Sequence, residues 1–250
     1  MDELLKLVLL LAIGSLAGFI NVMAGGGSAI TLPALIFLGL ESSVANGTNR
    51  VAIVIQNISA ILSFRQEKYQ KFKLSLKLAA FTVPGAIAGA FIATSISNEL
   101  FQKILAYILI GVIISMFLPK PNQKKSDDMP GHWSARLIYP AMFAIGFYGG
   151  FIQVGVGFLF MASLYHFLKL DLIRVNMHKV FIIFIYTMPA LIVFFFTNNV
   201  DLKLGLALGA GNALGAWWAA KISVKKGEVV IRIILIAAIL IMALKLLDTI

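Results

Sequence analysis

The chain has 250 residues, of which 60% are apolar and 13% are charged, and its formal net charge is +10 at pH 7. About a quarter of the residues in soluble domains are charged, so this composition excludes an ordinary soluble protein and predicts an all-α integral membrane protein. The chain contains no cysteine, which excludes a disulfide framework, a thiolate nucleophile and a Cys-ligated metal site.

Ten apolar segments follow one another along the chain. The first begins behind Asp2 and Glu3 without a cationic leader and runs past signal-peptide length, so we interpret it as a retained span. Segments 28–40 and 155–168 are too short to cross a hydrocarbon core of about 30 Å easily, and each follows a glycine cluster. Each is therefore predicted to be the second leg of a broken helical hairpin. The ten segments are 4–24, 28–40, 46–64, 74–95, 99–118, 136–154, 155–168, 178–197, 203–221 and 228–247.

Three consecutive glycines, 25–27, interrupt the first apolar stretch. Glycine raises the backbone cost of a helix, Ser28 can cap a helix that restarts after the glycines, and Pro33 fits an early turn or a kink. Because lipid demands an unbroken helix, such a break survives only against protein or a watery cavity. The stretch therefore predicts a cavity inside the membrane with amide N–H groups at its wall.

Features of the first half recur in the second half in the same order, which favours an internal repeat over chance similarity. We divide the chain into a first membrane repeat (1–118), a connecting loop (119–135) and a second membrane repeat (136–250). The offset between matching residues is 128 to 129 for the first matches and drifts to 126 at the last one. The matches are Gly18-Phe19 with Gly146-Phe147, Gly25 to Gly27 with Gly155 and Gly157, Val44 to Val51 with Ile173 to Val180, and Gly85-x3-Gly89 with Gly211-x3-Gly215.

The distribution of Lys and Arg predicts the orientation of the spans. Four loops, including 119–135 and a turn between 221 and 228, carry most of the 21 basic residues, and these loops share one side if each hairpin returns to its starting side. That side is predicted to be cytoplasmic, so topology explains the basic excess and no nucleic-acid partner is expected. Each half then holds a hairpin and three crossings. We therefore expect inverted repeats with both termini outside the cytoplasm.

One glycine-rich motif resembles a known family. Gly25-Gly26-Gly27-Ser28-x3-Leu32-Pro33, followed by Leu38-Gly39 and by Ala45-x-Gly47-Thr48, is similar to the sulfite exporter TauE/SafE family of membrane permeases. The resemblance covers nearly the whole chain, although the second half has Val175-Asn176-Met177-His178 where the family often repeats small-x-Gly-Thr-Ser. It implies transport of a small anion, often a sulfur oxyanion or organosulfonate such as sulfite or sulfoacetate, across a bacterial-type inner (cytoplasmic) membrane.

An anion that sheds its water needs N–H and O–H donors together with positive potential, and half-helix N-termini provide both. Ser28 and Thr31, with the free amides after Gly25, Gly26 and Gly27, form one candidate cluster. Gln153 with the amides around Gly155 and Gly157 forms the other. We expect close helix packing, rather than ligand binding, for the glycines of the two Gly-x3-Gly pairs.

Other polar residues of the spans each have a functional and a structural interpretation. Arg50 and Lys179, predicted in the first turns of their spans, either attract anions or snorkel to the interface. His178 either carries a coupling proton or is an interfacial histidine, and Asn46 either contacts substrate or caps its span. Tyr186 falls opposite Asn57 in the repeat. The full candidate substrate-binding set is Asn21, Gly25, Gly26, Gly27, Ser28, Thr31, Asn46, Thr48, Asn49, Arg50, Gln56, Asn57, Gln153, Gly155, Gly157, Asn176, His178, Lys179, Tyr186 and Asn212.

Acidic residues lie only near span ends, which disfavours a carrier built on buried carboxylates, and the sequence has no phosphate-binding loop of the ATPase type. A secondary transporter without a catalytic residue, a metal or a cofactor is predicted, with membrane lipid around it. The rival hypotheses are a channel-like anion conduit and an intramembrane hydrolase that uses Ser28 with His178. The sequence leaves open the anion, the direction and the coupling, and it is compatible with a homo-oligomer.

Overall fold

The computed structural model describes residues 3–69, 72–117 and 136–247. The described residues form nine α-helices and no strand, which confirms the prediction of an all-helical protein for this part of the chain. The predicted connecting loop 119–135 lies outside the described residues. The helices are α1 (Glu3–Met23), α2 (Ser28–Phe37), α3 (Ser42–Gln66), α4 (Phe72–Ser95), α5 (Asn98–Phe117), α6 (Ile138–Phe151), α7 (Val156–Leu168), α8 (Leu172–Phe196) and α9 (Leu202–Leu247).

Three of these helices, α1, α4 and α8, are long and apolar enough to cross a bilayer by length and composition. The apolar helices α2, α6 and α7 have only 10, 14 and 13 residues. At about 1.5 Å per residue they extend roughly 15–21 Å, less than the hydrocarbon core of about 30 Å. The described chain therefore combines long helices with three short ones that reach only part of the way across.

Two gaps interrupt the helices where the sequence predicts breaks. α1 ends at Met23 and α2 begins at Ser28, while α6 ends at Phe151 and α7 begins at Val156. Gly25 has a φ of +91° and Gln153 has a φ of +67°, a left-handed conformation that a right-handed helix does not contain. Both predicted interruptions are thus confirmed.

Ser28 does not cap α2 as predicted. The N-cap position belongs to Gly27, and no side chain accepts a hydrogen bond there. Because Ser28 is already the first helical residue, its hydroxyl does not stand in the N-cap position, from which a side chain accepts from the second or third helical amide.

The predicted turn between 221 and 228 is also wrong. α9 runs through this segment without a break. The whole helix has 46 residues and is roughly 69 Å long at the rise of an α-helix. The segment Ser223-Val-Lys-Lys-Gly227-Glu has no proline, and one glycine costs a helix only about 1 kcal/mol. Segment 228–247 therefore does not fold back beside 203–221 in this structure.

Helix bounds recur between the halves with a steadier offset than the predicted one. α3 and α8 begin at Ser42 and Leu172, 130 residues apart, and α4 and α9 begin at Phe72 and Leu202, again 130 apart. The ends of α1 and α6, and the starts of α2 and α7, differ by 128. Left-handed residues recur at the same offsets, in the pairs Gly25 and Gln153, Gly39 and Lys169, and Lys68 and Asn198.

These offsets correct three predicted matches. Arg50 corresponds to Val180 and Lys179 corresponds to Asn49, so the two cations do not align across the repeat. Gly85 corresponds to Gly215 rather than to Gly211, and both touch equivalent neighbours: Gly85 lies against Phe143 and Phe147, and Gly215 lies against residues 15 and 19 of α1. Tyr186 likewise corresponds to Gln56 rather than to Asn57. The four glycines of the Gly-x3-Gly pairs do pack against the backbone of another helix, as predicted.

The most extensive helix contacts join the two halves of the chain. α1 and α3 pack on α9, and α4 packs on α6 and α8. The fourth helix of each half thus lies against the first and third helices of the other half. Because each fourth helix packs on the other half, the two breaks lie close together.

Candidate functional site where the two breaks meet

Backbone atoms of the two breaks are in direct contact. A Cβ atom built on Gly157 would lie 2.7 Å from the carbonyl oxygen of Gly25, and one built on Gly25 would lie 2.6 Å from the Phe158 nitrogen. Real side chains do not tolerate such distances, so glycine is required at both positions. The start of α2 and the start of α7 therefore belong to one site.

Six buried amide N–H groups line these two starts without an acceptor among the described residues. Backbone hydrogen bonds resume only with the amides of Ala29 and Phe158, apart from one weak bond from Val156 to Gln153 at 3.4 Å. More than nine in ten buried backbone N–H groups in proteins are paired. The site thus presents donors that need a partner. The six amides belong to Gly26, Gly27, Ser28, Val154, Gly155 and Gly157.

Lys179 of α8 reaches across to the end of the first broken helix. Its Nζ donates to the carbonyl oxygens of Asn21 at 3.1 Å and Val22 at 2.7 Å, and to Oδ1 of Asn176 at 2.9 Å. An ammonium group has three protons, so all of its donors are used. The side chain is 1% exposed and holds the carbonyl end of α1, where the helix dipole is negative.

Arg50 of α3 makes the matching contact with the end of α6. Its two terminal nitrogens donate to the carbonyl oxygens of Gly149 at 3.1 Å and Gly150 at 2.5 Å. The guanidinium lies 4.6 Å from the centre of the Phe194 ring, a favourable cation–π distance, and its Nε has no partner among the described residues. Each half therefore supplies a cation to the broken helix of the other half.

Neither cation snorkels to an interface. Arg50 is 0% exposed, and each residue lies about two turns inside its helix, because α3 and α8 begin earlier than the predicted spans. The salt bridges of the described residues are Lys103–Glu99, Arg174–Asp171 and Lys203–Glu3. Two buried positive charges thus face carbonyl dipoles without a salt bridge to a carboxylate in the described part of the chain.

Side-chain pairs tie the helices together around the breaks. Asn21 donates to Gln56 at 3.1 Å, Thr31 donates to Asn49 at 2.7 Å, and Gln153 donates to Thr187 at 3.3 Å. Asn46 lies a full turn inside α3 and donates to the carbonyl oxygen of Phe151 at 2.7 Å, so it does not cap the helix. These contacts bring residues from five helices to one region.

Several of these side chains keep a buried polar atom without a partner in the described residues. The free donors include Nδ2 of Asn49, Nδ2 of Asn176 and the hydroxyl of Tyr186. The free acceptors are on Asn46, Asn57, Gln153 and Asn212. Unpaired polar atoms are costly when buried. Asn46, Asn49, Gln153, Asn176 and Tyr186 therefore hold further polar groups that a polar ligand would satisfy.

Four of the predicted site residues make their contacts away from the breaks. Thr48 accepts from the amide of Asp201 at 2.8 Å, and Asn57 donates to its own helix at Ile53. His178 is bound to Ser75 at 2.7 Å. The Asn212 backbone lies against Gly18, so this residue belongs to the contact between α1 and α9.

The sequence did not identify four residues that complete the site. Gly149 and Gly150 offer the carbonyl groups that Arg50 holds, Thr187 accepts from Gln153, and the ring of Phe158 covers Gly26, where an added Cβ would lie 2.9 Å from it. Of these four, only Gly149 and Gly150 could have been noticed in the sequence, as a pair of glycines just before the second break.

Comparisons with known proteins identify relatives that are named as membrane transporters. The sequence model of the sulfite exporter TauE/SafE family matches residues 10–246 of this chain. A probable membrane transporter protein of Sinorhizobium is 30% identical over 93% of this chain and 88% of its own length. The probable membrane transporter protein YfcA of Escherichia coli is 26% identical over 97% of this chain and 90% of its own.

A probable membrane transporter protein of Haemophilus influenzae is 26% identical over 90% of this chain and 88% of its own length. No solved structure gives a significant match. Since the family match covers nearly the whole chain, including both breaks and both buried cations, the protein is a membrane transporter of the sulfite exporter TauE/SafE family.

Proposed function

We propose that the protein is a secondary transporter for a small anion, which binds where the starts of α2 and α7 meet. The observation that carries this proposal is the set of six buried amides without acceptors at two breaks in backbone contact. Each start is the positive end of a helix dipole, and free amides at such an end suit an oxyanion.

The buried cations strengthen this field. A break in a helix exposes negative carbonyl groups as well as positive amides, and the two partial charges of about half a unit oppose each other. Lys179 and Arg50 cover the carbonyl ends of α1 and α6, so their cationic groups offset the negative ends of the two helix dipoles. An anion at the breaks would then meet positive potential from both sides of each gap.

The substrate class follows from the donors. An oxyanion with several oxygens can accept from amides of both breaks and from the free donors of Asn49 and Tyr186. Sulfur oxyanions and organosulfonates such as sulfite and sulfoacetate fit this description, and membership in the TauE/SafE family supports them. Direct ligation by Lys179 is not part of the proposal, because its three protons are already used.

We further propose that the halves are inverted repeats in a bacterial inner membrane, with the N-terminus outside the cytoplasm. The recurring offsets and the exchanged packing of α4 and α9 support the repeat, and the Lys and Arg distribution supports the orientation. The prediction that the C-terminus also lies outside the cytoplasm depended on a turn at 221–228. α9 has no such turn. A reporter fused at residue 250 tests this helix, since only a fold-back would carry the C-terminus outside.

The hydrolase hypothesis loses its catalytic pair. His178 is hydrogen-bonded to Ser75, and Ser28 has no hydrogen-bonded histidine in the described residues. A nucleophilic serine needs a base within hydrogen-bond reach, so the geometry favours binding over hydrolysis at Ser28.

A flux panel in proteoliposomes tests the proposed function. We expect saturable flux for sulfite, thiosulfate or sulfoacetate, weaker flux for carboxylate analogues, and little for zwitterionic taurine, because the site offers donors without a carboxylate. Runs with and without a pH gradient test proton coupling. Counterflow would support a carrier, whereas flux that rises linearly with concentration would support the conduit. Absence of anion flux under every condition would contradict the proposal.

A further inference from the structure

A second cluster of positive charge lies outside the central site, in a cavity between the first turns of α4 and α8. The cavity has a volume of about 610 Å³. Lys73, Lys77 and Arg174 are exposed at this cavity. The full lining is Phe72, Lys73, Leu74, Lys77, Leu170, Arg174 and His178, and we name it the basic cleft.

The charge of the basic cleft is largely available to a ligand. Arg174 shares its charge with Asp171, 3.1 Å away, but Lys73 has no ion pair in the described chain, and Lys77 lies 5.1 Å from the centre of the Tyr139 ring. None of the described residues that line the cavity is acidic. Two lysines one helical turn apart therefore face the same space without a neutralising carboxylate.

The walls of the basic cleft are apolar and its floor is polar. Phe72 stacks on Phe181 of α8, with ring centres 4.6 Å apart, and this contact fixes one wall. His178 is 3% exposed and is held by Ser75. The next residue after His178 is Lys179, which holds the broken end of α1. The floor of the cleft thus borders the residues around the central site.

The corresponding place in the other half does not carry the same set of free charges. Lys73 corresponds to Lys203 at the offset of 130, but Lys203 is bound to Glu3 at 2.5 Å. At the same offset, Lys77 and Arg174 correspond to the uncharged residues Ala207 and Val44. The basic cleft is therefore a feature of one face of the molecule and not a by-product of the repeat.

We propose that the basic cleft is a capture site for a small organosulfonate, in which a sulfonate group is attached to a short hydrocarbon part, on its way to the central site. This inference rests on the proposed function and deepens it. The lysines attract the charged group and raise the local anion concentration, while Phe72, Leu74 and Leu170 contact the hydrocarbon part. In the proposed topology the cleft opens to the cytoplasm.

The test measures sulfoacetate flux in proteoliposomes from each face separately, for Lys73→Gln/Lys77→Gln and for a matched control. The control, Arg65→Gln/Lys225→Gln, removes two exposed charges from the same predicted side but outside the cleft. We expect the cleft variant to raise KM on the order of tenfold from the cleft face only, with an unchanged maximal rate. Added salt should raise the wild-type KM and narrow the difference.

Three outcomes separate the possibilities. A cleft variant that matches the control while the wild type transports normally overturns the capture site and leaves the proposed function intact. A wild type without saturable anion flux overturns the proposed function. A KM effect seen in vesicles with anionic phospholipid but absent in pure phosphatidylcholine vesicles would assign the cleft to lipid headgroups and so overturn capture of the transported anion.

Discussion

Replacing Lys179 with methionine is expected to lower anion flux by roughly a hundredfold or more. The change removes a buried charge and leaves the carbonyl oxygens of Asn21 and Val22 without donors. A hydrogen bond that involves a charged group contributes about 1.5–3 kcal/mol, and each 1.4 kcal/mol corresponds to about a factor of ten. The substitution should raise KM more for divalent anions than for monovalent anions, because the positive potential at the site becomes weaker.

Charge-conserving and surface variants separate this effect from general damage. Lys179→Arg keeps the charge and should restore part of the flux, although its planar group fits the three acceptors less well. Lys103→Met removes an exposed lysine paired with Glu99, a type of pair that contributes about 0–1 kcal/mol, and should behave as wild type. Normal flux in Lys179→Met would show that the cation does not shape the site.

Replacing Gly26 with leucine is expected to abolish flux while the protein still inserts into the membrane. A Cβ at this position would meet only the ring of Phe158, the movable end of a side chain, so the fold can adjust. The leucine side chain would fill the space in front of the free amides, and leucine also favours helix more than glycine by about 1 kcal/mol. Flux and membrane yield are measured together.

A graded series makes this result interpretable. Gly26→Ala should retain more flux than Gly26→Leu, because alanine adds a single carbon. Ala88→Leu adds the same leucine side chain at an exposed position of α4 and should leave flux unchanged. If Gly26→Leu were to transport as well as Ala88→Leu, the first break would not be part of the anion site.

The sequence predicts the breaks because their cause is local. Three successive glycines weaken a helix wherever they occur, and the structure ends α1 at Met23 as expected. Gly155 and Gly157 gave a weaker signal, and the second gap nevertheless falls beside them. Element type could therefore be predicted from composition and glycine clusters alone.

The partners of the buried cations could not be predicted, because they lie in the other half of the chain. Arg50 donates to residues about 100 positions away and Lys179 to residues about 158 away. No local pattern indicates which carbonyl groups an inward cation meets. The sequence suggested that Arg50 and Lys179 could lie at the membrane interface, because the predicted spans began several residues after the true starts of α3 and α8. Both residues were therefore placed near a helix end.

The register of the Gly-x3-Gly pairs shows a different limit. Such a motif repeats itself after about one helical turn, so an offset of 126 aligns both glycines of the first pair, and an offset of 130 still aligns Gly85 with Gly215. The contacts of Gly85 and Gly215 with α6 and α1 decide between them. Helix packing supplies the information that an apolar, self-similar sequence lacks.

The most direct test of the anion site is an NMR titration of the ¹⁵N-glycine-labelled protein in nanodiscs. Sulfoacetate should shift the amide signals of Gly26, Gly27, Gly155 and Gly157 along one saturable curve, because these free N–H groups would acquire an acceptor. A neutral amide analogue of similar size should leave them in place. Saturable binding that shifts glycine signals elsewhere and leaves these four unchanged would contradict the account.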